Sequence, residues 1–258
     1  MQARNANGNA WDAQQTRLLA ALRRDEFELY LQPIVALERP NDWHMAEVLI
    51  RLRQEEKALL PPGDFLPAFE LFGMLPQLDA WVLRKAVQFQ AKSAARFSIN
   101  VSAQTLEHDD LPRLLADLDA RRGALLFEIE ESDIVLHPQA AQRFSDAVRA
   151  CGAAIVVDGF GRRALSFAAF AGLHPDFVKI DGALTRRLAA DGSCVARIET
   201  IRRLADALGV RLIAECVETE DVLLELDSLG ITHVQGYGVC RPQPIEELLA
   251  REPQLAAA

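Results

Sequence analysis

The sequence predicts a single α/β barrel, and three observations carry that reading. Short apolar runs alternate with helical stretches along most of the chain, several helices stop at a glycine just before the next run, and about eight such runs fit within 258 residues. Strands that are apolar throughout belong to a parallel sheet covered on both faces. With that many strands, closure into a barrel is the economical solution.

The elements follow in order. Residues 1–10 are polar and read as a disordered tail. Trp11–Arg24 carries Trp11, Leu18, Leu19 and Leu22 on a helical stripe. Phe27–Leu37 alternates and contains Tyr30, Leu31, Ile34 and Val35, so it reads as a strand, and Met45–Leu52 follows as a second. Asp64–Gly73 and Leu78–Arg96 read as helices, with Asp64 before Pro67 a modest start signal. The remaining strands are expected at Phe97–Val101, Leu125–Ile129, Ala154–Val157, Phe177–Ile180, Val210–Ala214 and Thr232–Val234. Helices at Pro138–Ala150, Cys194–Leu208 and Asp221–Leu229 lie between them and end near Gly152, Gly209 and Gly230. Residues 251–258 are Ala-rich after Pro253 and are expected to fray, which leaves 11–250 as one domain.

Composition narrows the function. Half of the residues are apolar, enough for a sizeable core, which argues against global disorder. The 28 basic and 37 acidic residues give a net charge of −9, and the basic residues reach no further than short pairs such as Arg186-Arg187 and Arg202-Arg203. Duplex nucleic acid is therefore a disfavoured partner, whereas a small phosphate ligand held locally remains allowed. Cys151, Cys194, Cys216 and Cys240 have no C-x-x-C spacing, so they read as small buried hydrophobes rather than zinc ligands or disulfides. No stretch approaches eighteen apolar residues, so no direct membrane segment is expected; the chain reads as cytoplasmic, alone or as part of a larger protein.

What ends the apolar runs is more informative. In order they meet Glu47, Asn100, Glu128, Asp158, Lys179, Glu215 and Gln235. In an α/β barrel the C-terminal strand ends converge on one mouth, so these side chains would face one another. Clustered carboxylates repel unless they share protons or hold cations, and an oxygen-rich set suits Mg²⁺ or Mn²⁺. Metal-assisted chemistry on a phosphoester is the natural hypothesis, with the lysine orienting water or stabilising charge. Gln32 and Arg51 are phosphate-binding candidates and equally ordinary rim residues. Asp64, Asp79, Asp133 and Asp221, taken singly, read as helix caps or solvated loop residues.

The ordered set resembles the EAL domain family. The matching segments are Gln32-Pro33-Ile34-Val35, Glu47-Val48-Leu49-Ile50-Arg51, Asn100-Val101-Ser102, Glu128-Ile129-Glu130-Glu131-Ser132, Asp158-Gly159-Phe160-Gly161 and Asp176-Phe177-Val178-Lys179-Ile180-Asp181. Ala214-Glu215-Cys216-Val217-Glu218-Thr219, Gln235-Gly236-Tyr237 and Arg241-Pro242 complete it. The resemblance implies a bacterial signalling protein with a modified TIM (β/α)8 barrel, one strand antiparallel to the others. It implies cyclic di-GMP as ligand and, in active members, a phosphodiesterase (a hydrolase) that yields pGpG with two magnesium or manganese ions. It assigns Glu47, Asn100, Glu128 and Asp158 as metal ligands, and Lys179, Glu215 and Gln235 as the catalytic group that holds or activates water. Gln32, Arg51, Asn100 and Glu215 become ligand contacts, and Glu131 the residue that steadies the loop after the fifth strand.

Three departures stand out. The signature Glu-Ala-Leu is Glu47-Val48-Leu49, which keeps the carboxylate. Glu130 replaces a usual threonine and brings a negative charge with no obvious partner in the sequence. Gly159 stands where the family's second aspartate ligates the second metal, and Arg162-Arg163 replace a small Thr-Gly pair. Glycine offers no side-chain oxygen, and Arg162 brings a cation near that place but cannot activate water as a metal would. The reading is therefore a degenerate active site: a cyclic di-GMP receptor with impaired or absent hydrolysis, with or without a bound ion. An active or slow phosphodiesterase is the alternative, and a protein-interaction scaffold without nucleotide binding the second. Family members often dimerise, and a receptor implies a protein output partner, but the altered loop weakens the expectation of a homodimer here.

Overall fold

The computed structural model describes residues 15–39, 43–53, 59–118, 120–162 and 172–251. The expected tail, the start of the first helix at Trp11, Arg163 and residues 252–258 lie outside the described residues. Helix α1 covers 15–23. It is followed by β1 (Phe27–Ala36), β2 (Trp43–Arg53), β3 (Leu59–Leu60), α2 (Pro62–Leu71), α3 (Leu75–Gln90), β4 (Arg96–Asn100), α4 (Ala103–Leu106) and α5 (Asp110–Asp117). Next come β5 (Leu125–Glu130), α6 (Glu131–Leu136), α7 (Pro138–Ala150), β6 (Ala154–Phe160), β7 (Phe177–Ile180) and α8 (Gly182–Arg187). The chain then runs through α9 (Gly192–Leu208), β8 (Arg211–Ala214), α10 (Glu220–Ser228), β9 (His233–Val234), β10 (Gln243–Pro244) and α11 (Ile245–Ala250).

Eight strands close a ring in the order β1-β9-β8-β7-β6-β5-β4-β2, with β2 returning to β1. Every pairing from β2 round to β9 is parallel, and β1 is antiparallel to both of its neighbours in the ring. The expected modified barrel with one antiparallel strand is thus present. The two short strands extend its rim, β3 on β2 and β10 on β1.

The pleat explains why these strands read as continuously apolar. One face of each strand lies under the helices: Phe127, Ile129, Ile155, Val157, Val178, Ile180 and Leu212 belong to the outer core, where Phe127 meets Phe144 of α7 edge-on at 5.6 Å. The other face looks into the barrel. There Ile34, Met45, Leu126, Ala154, Val156, Phe177 and Ile213 form a separate apolar plug. Side chains two residues apart share a face, so the next layer along the same strands is Gln32, Glu47, Glu128, Asp158, Lys179 and Glu215. The plug is apolar and the layer above it is polar, at the C-terminal ends of the parallel strands. A further cluster of Leu18, Ala21, Phe27, Leu52, Phe65, Phe69, Met74 and Leu78 ties α1, α2 and α3 to the ends of β1 and β2.

The short helices α4, α5, α6, α8 and α11 are not among those expected, and the helix expected at Asp64–Gly73 is found at Pro62–Leu71. The predicted Leu78–Arg96 helix begins earlier, at Leu75, and stops at Gln90. The Gln90 amide turns back to donate to the carbonyls of Ser93 and Ala95, which holds a turn that releases Arg96 into β4. Asp79 also departs from a cap or solvated residue. It is buried within α3 and accepts hydrogen bonds from Ser102 N, Ser102 Oγ and Thr105 Oγ1. Asp64, Asp133 and Asp221 do lie in helix first turns. Of the cysteines only Cys194 is buried; the other three are half-buried.

Candidate functional site

The polar layer is a connected network centred on a lysine. Lys179, on β7, is fully buried, and its Nζ lies 2.8 Å from Glu47 Oε2, 2.8 Å from Glu128 Oε2 and 3.1 Å from Glu215 Oε1. Asn100, the last residue of β4, donates through Nδ2 to Glu47 Oε1 at 2.8 Å. Gln235, just past β9, donates to Glu47 Oε2 at 2.8 Å and to Gln32 Oε1 at 3.3 Å. Sheet register sets these neighbours: Gln32 pairs with Glu47, Asn100 with Glu128, and Glu130 with Asp158.

The electrostatics follow from burial against one ammonium. Burial pushes Glu128 up to about 8, with the Glu47 carboxylate adding to it and Lys179 opposing. Burial likewise raises Glu215 to about 7 and holds Asp158 above its ordinary range. Burial would raise Glu47 too, but Lys179, Asn100 and Gln235 outweigh it and keep that carboxyl low. For Lys179 burial acts downward, and Glu128, Glu47, Glu215 and Asp158 more than offset it, so the ammonium persists. Two buried oxygens, Glu128 Oε1 and Gln235 Oε1, have no hydrogen-bond partner.

Loop geometry fixes the last two members. The backbone turns left-handed at Cys216, φ 55°, directly after Glu215. A Cβ on Gly236 would collide with the Val217 backbone, so glycine lets the Gln235 loop lie against the Glu215 loop. Val217 N and Gly238 N then stitch the two loops together through Gln235 O and Val217 O.

A second feature sits beside Asp158. The pairing of β6 with β7 slips between Val157 and Phe160, and Gly159 takes up the slip with φ +66°. Its N–H donates to Asp158 Oδ1 at 2.7 Å. The Arg162 guanidinium covers Gly159, its nearest nitrogen 3.6 Å from where a Cβ would stand. Arg162 Nε donates to Asp181 Oδ2 at 2.7 Å, and its Nη1 to Glu130 Oε1 at 3.1 Å. Glu130 therefore has a partner after all, 32 residues away in sequence.

The network gathers Glu47, Asn100, Glu128, Lys179, Glu215, Gln235 and Gln32, and Asp158 borders it. Arg51 stands apart: it shares a face of β2 with Glu47 but lies four residues further out, where its guanidinium caps Ile50 O at 2.8 Å and lies 5.4 Å from the Tyr30 ring centre. Glu131 is buried at the start of α6. Two cavities flank the network. One of about 500 Å³ is lined by Asn100, Glu128, Glu130 and Asp158 among others. The second, about 300 Å³, is lined by Gln32, Glu47, Glu215, Gln235, Arg186 and Tyr237. Arg186 and Tyr237 carry no strand-end signal in the sequence.

The sequence pattern of the EAL domain family matches residues 15–242. The chain belongs to the EAL domain family. It is 32% identical over 246 residues to cyclic di-GMP phosphodiesterase PdeF of Escherichia coli, covering 92% of this chain and 32% of that protein. It is 29% identical over 238 residues to cyclic di-GMP phosphodiesterase PdeB of Shewanella oneidensis, covering 89% of this chain and 28% of that protein. The chain thus spans about a third of the length of these relatives. Among solved structures, the EAL domain superposes on the PaMucR phosphodiesterase in complex with c-di-GMP with a TM-score of 0.82, at 29% identity over 92% of this chain and 99% of that one. It superposes on the FimX EAL domain of Pseudomonas aeruginosa bound to c-di-GMP with a TM-score of 0.83, at 25% identity over 89% and 96%. No described helix is long and apolar enough to cross a membrane.

EAL phosphodiesterases use divalent ions, and the residues here fit them unequally. Three carboxylates and an amide supply hard oxygen donors, and the unpartnered Glu128 Oε1 is one ready to coordinate. As the side chains stand, no three His, Cys, Asp or Glu among the described residues are gathered to hold an ion, because Lys179 occupies the space between the carboxylates. The donor types suit a first ion, and the carboxylates would have to turn from Lys179 to hold it. A second, beside Asp158, does not fit: Gly159 has no donor, and a guanidinium already covers it.

Proposed function

We propose that this EAL domain binds cyclic di-GMP at the barrel mouth and acts as its receptor, with hydrolysis impaired or absent. The observation that carries this reading is Gly159 lying beneath the Arg162 guanidinium, beside an otherwise well-stocked site. Hydrolysis by two metals needs a pair of cations clamping the attacking and leaving oxygens. Here one side of Asp158 lacks the donor for the second.

The site suits the ligand's shape. Cyclic di-GMP is two guanosines joined by two phosphodiesters, and the polar network divides two cavities of ligand-binding size. Tyr237 is exposed on one of them, with Arg241 5.0 Å from its ring centre, a face on which a base can stack. Gln32, Arg51, Asn100 and Glu215 are the proposed polar contacts, Arg51 toward a phosphate. Glu47, Asn100, Glu128 and Asp158 would hold one Mg²⁺ or Mn²⁺. Bound there, such an ion would polarise a phosphoester oxygen and lower the pKa of water. Lys179 positions Glu47, Glu128 and Glu215; Gln235 donates to the same Glu47 oxygen as Lys179, and Asn100 holds the other. Glu131, buried at the start of α6, is the residue proposed to steady the loop after the fifth strand of the ring. A receptor of this kind works in the cytoplasm and passes occupancy to a protein partner or a second copy.

One observation supports the phosphodiesterase reading: Glu47, Asn100, Glu128 and Lys179 are linked in one hydrogen-bonded group at the mouth. Calorimetric titration with cyclic di-GMP in EDTA tests the receptor. Binding in the micromolar range, weakened by Arg51→Ala, is expected. Absence of binding both in EDTA and with Mn²⁺ would overturn it and leave the scaffold reading.

A further inference from the structure

Arg162 is placed as an internal counter-ion. Its Nε is bound to Asp181, which is 3% exposed and whose other oxygen accepts from Ala183 N at the start of α8. Its Nη1 reaches Glu130, which pairs in register with Asp158 across β5 and β6. Three carboxylates thus surround one guanidinium: Asp181 and Glu130 through hydrogen bonds, and Asp158 through its field. That guanidinium lies beside the missing side chain of Gly159, Nη2 at 3.6 Å and Cζ at 3.9 Å from the Cβ position. Glu130 and Arg162 therefore form one unit with Gly159: the added anion, the added cation and the lost carboxylate occupy one corner.

We propose that the Arg162 guanidinium, clamped by Asp181 and Glu130 over Gly159, takes the place of a second divalent ion beside Asp158. The proposal rests on the reading of this mouth as a cyclic di-GMP site. Two consequences follow. The barrel takes one divalent ion, not two, and with no metal bound the fixed positive charge beside Asp158 acts on the ligand's phosphates through space. Restoring a carboxylate at position 159 is not enough to recover a second ion. An Asp side chain there grows toward the guanidinium, whose nearest nitrogen is 3.6 Å from the Cβ position, and pairs with it. Both changes are needed.

The test counts Mn²⁺ per chain by equilibrium dialysis for the unaltered protein, Gly159→Asp, Arg162→Gln and the double variant. The unaltered protein and both single variants are expected to hold one ion, and the double variant two. Two ions in the unaltered protein or in Gly159→Asp alone would overturn the proposal, as would one ion or none in a folded double variant. Aspartate tolerates positive φ better than most residues, and thermal unfolding reports whether each variant folds. Should the double variant not fold, Arg162→Gln decides alone through nucleotide affinity in EDTA. It is expected to lose about tenfold, because the fixed positive charge beside Asp158 is gone. Unchanged affinity would overturn the proposal. Failure of the receptor reading looks different: the unaltered protein then binds no nucleotide under any condition, whatever the ion count.

Discussion

Lys179 and Glu128 form an ion pair at 2.8 Å with neither side chain exposed to solvent. One ammonium at the centre of the mouth holds Glu128, Glu47 and Glu215 together. Removing one partner of a buried pair leaves the other charge uncompensated, at a cost of about 3–5 kcal/mol. Lys179→Met is expected to destabilise by that order in urea unfolding. A loss below about 1 kcal/mol would show that Lys179 is not the keystone.

Asn100 and Glu47 are linked at 2.8 Å across the neighbouring strands β4 and β2. Asn100→Ala removes a proposed ligand and the donor that orients Glu47. First-ion affinity is expected to fall at least about 10–100-fold, the range for residues that merely orient ligands. Mn²⁺ titration of the two proteins measures it.

Gly236 is required by the backbone of Val217. Gly236→Ala must push the Gln235 loop away, with an overpacking cost of about 1–3 kcal/mol. Nucleotide affinity is expected to fall along with stability, since Gln235 and Tyr237 move together. Unchanged affinity would separate this loop from the ligand.

Asp79 titrates as part of the scaffold. Burial holds its carboxyl above the ordinary 3.8, against the hydrogen bonds from Thr105 and Ser102. The folded state then binds this proton more tightly than the unfolded state. Stability contributed by Asp79 is full below its unfolded pKa and declines as pH rises through the raised value. Asp79→Asn is expected to flatten that decline, which urea midpoints from pH 4 upward would show.

Much of this was legible in the sequence. The apolar runs marked β4 to β8 because those strands are largely buried on both faces, as Phe127 and Leu126 are on β5, whereas β1 was legible by its alternation. Glu47, Asn100, Glu128, Asp158, Lys179, Glu215 and Gln235 were legible as polar interruptions of those runs. β3 and β10 were not, since two residues carry no periodicity. Nor was the Arg162 clamp, whose partners lie 19 and 32 residues away and meet only through strand register. Asp79 misread as a cap because its partners lie 23 and 26 residues downstream on the loop it anchors.

The most direct test of the central claim is a turnover assay. Purified protein is incubated with cyclic di-GMP and Mn²⁺, then with Mg²⁺, and pGpG is followed by chromatography beside Glu47→Ala. The account predicts little or no product above that control from a protein that binds the nucleotide. Rapid multiple turnover that vanishes in Glu47→Ala would contradict it and make this barrel a working phosphodiesterase despite Gly159.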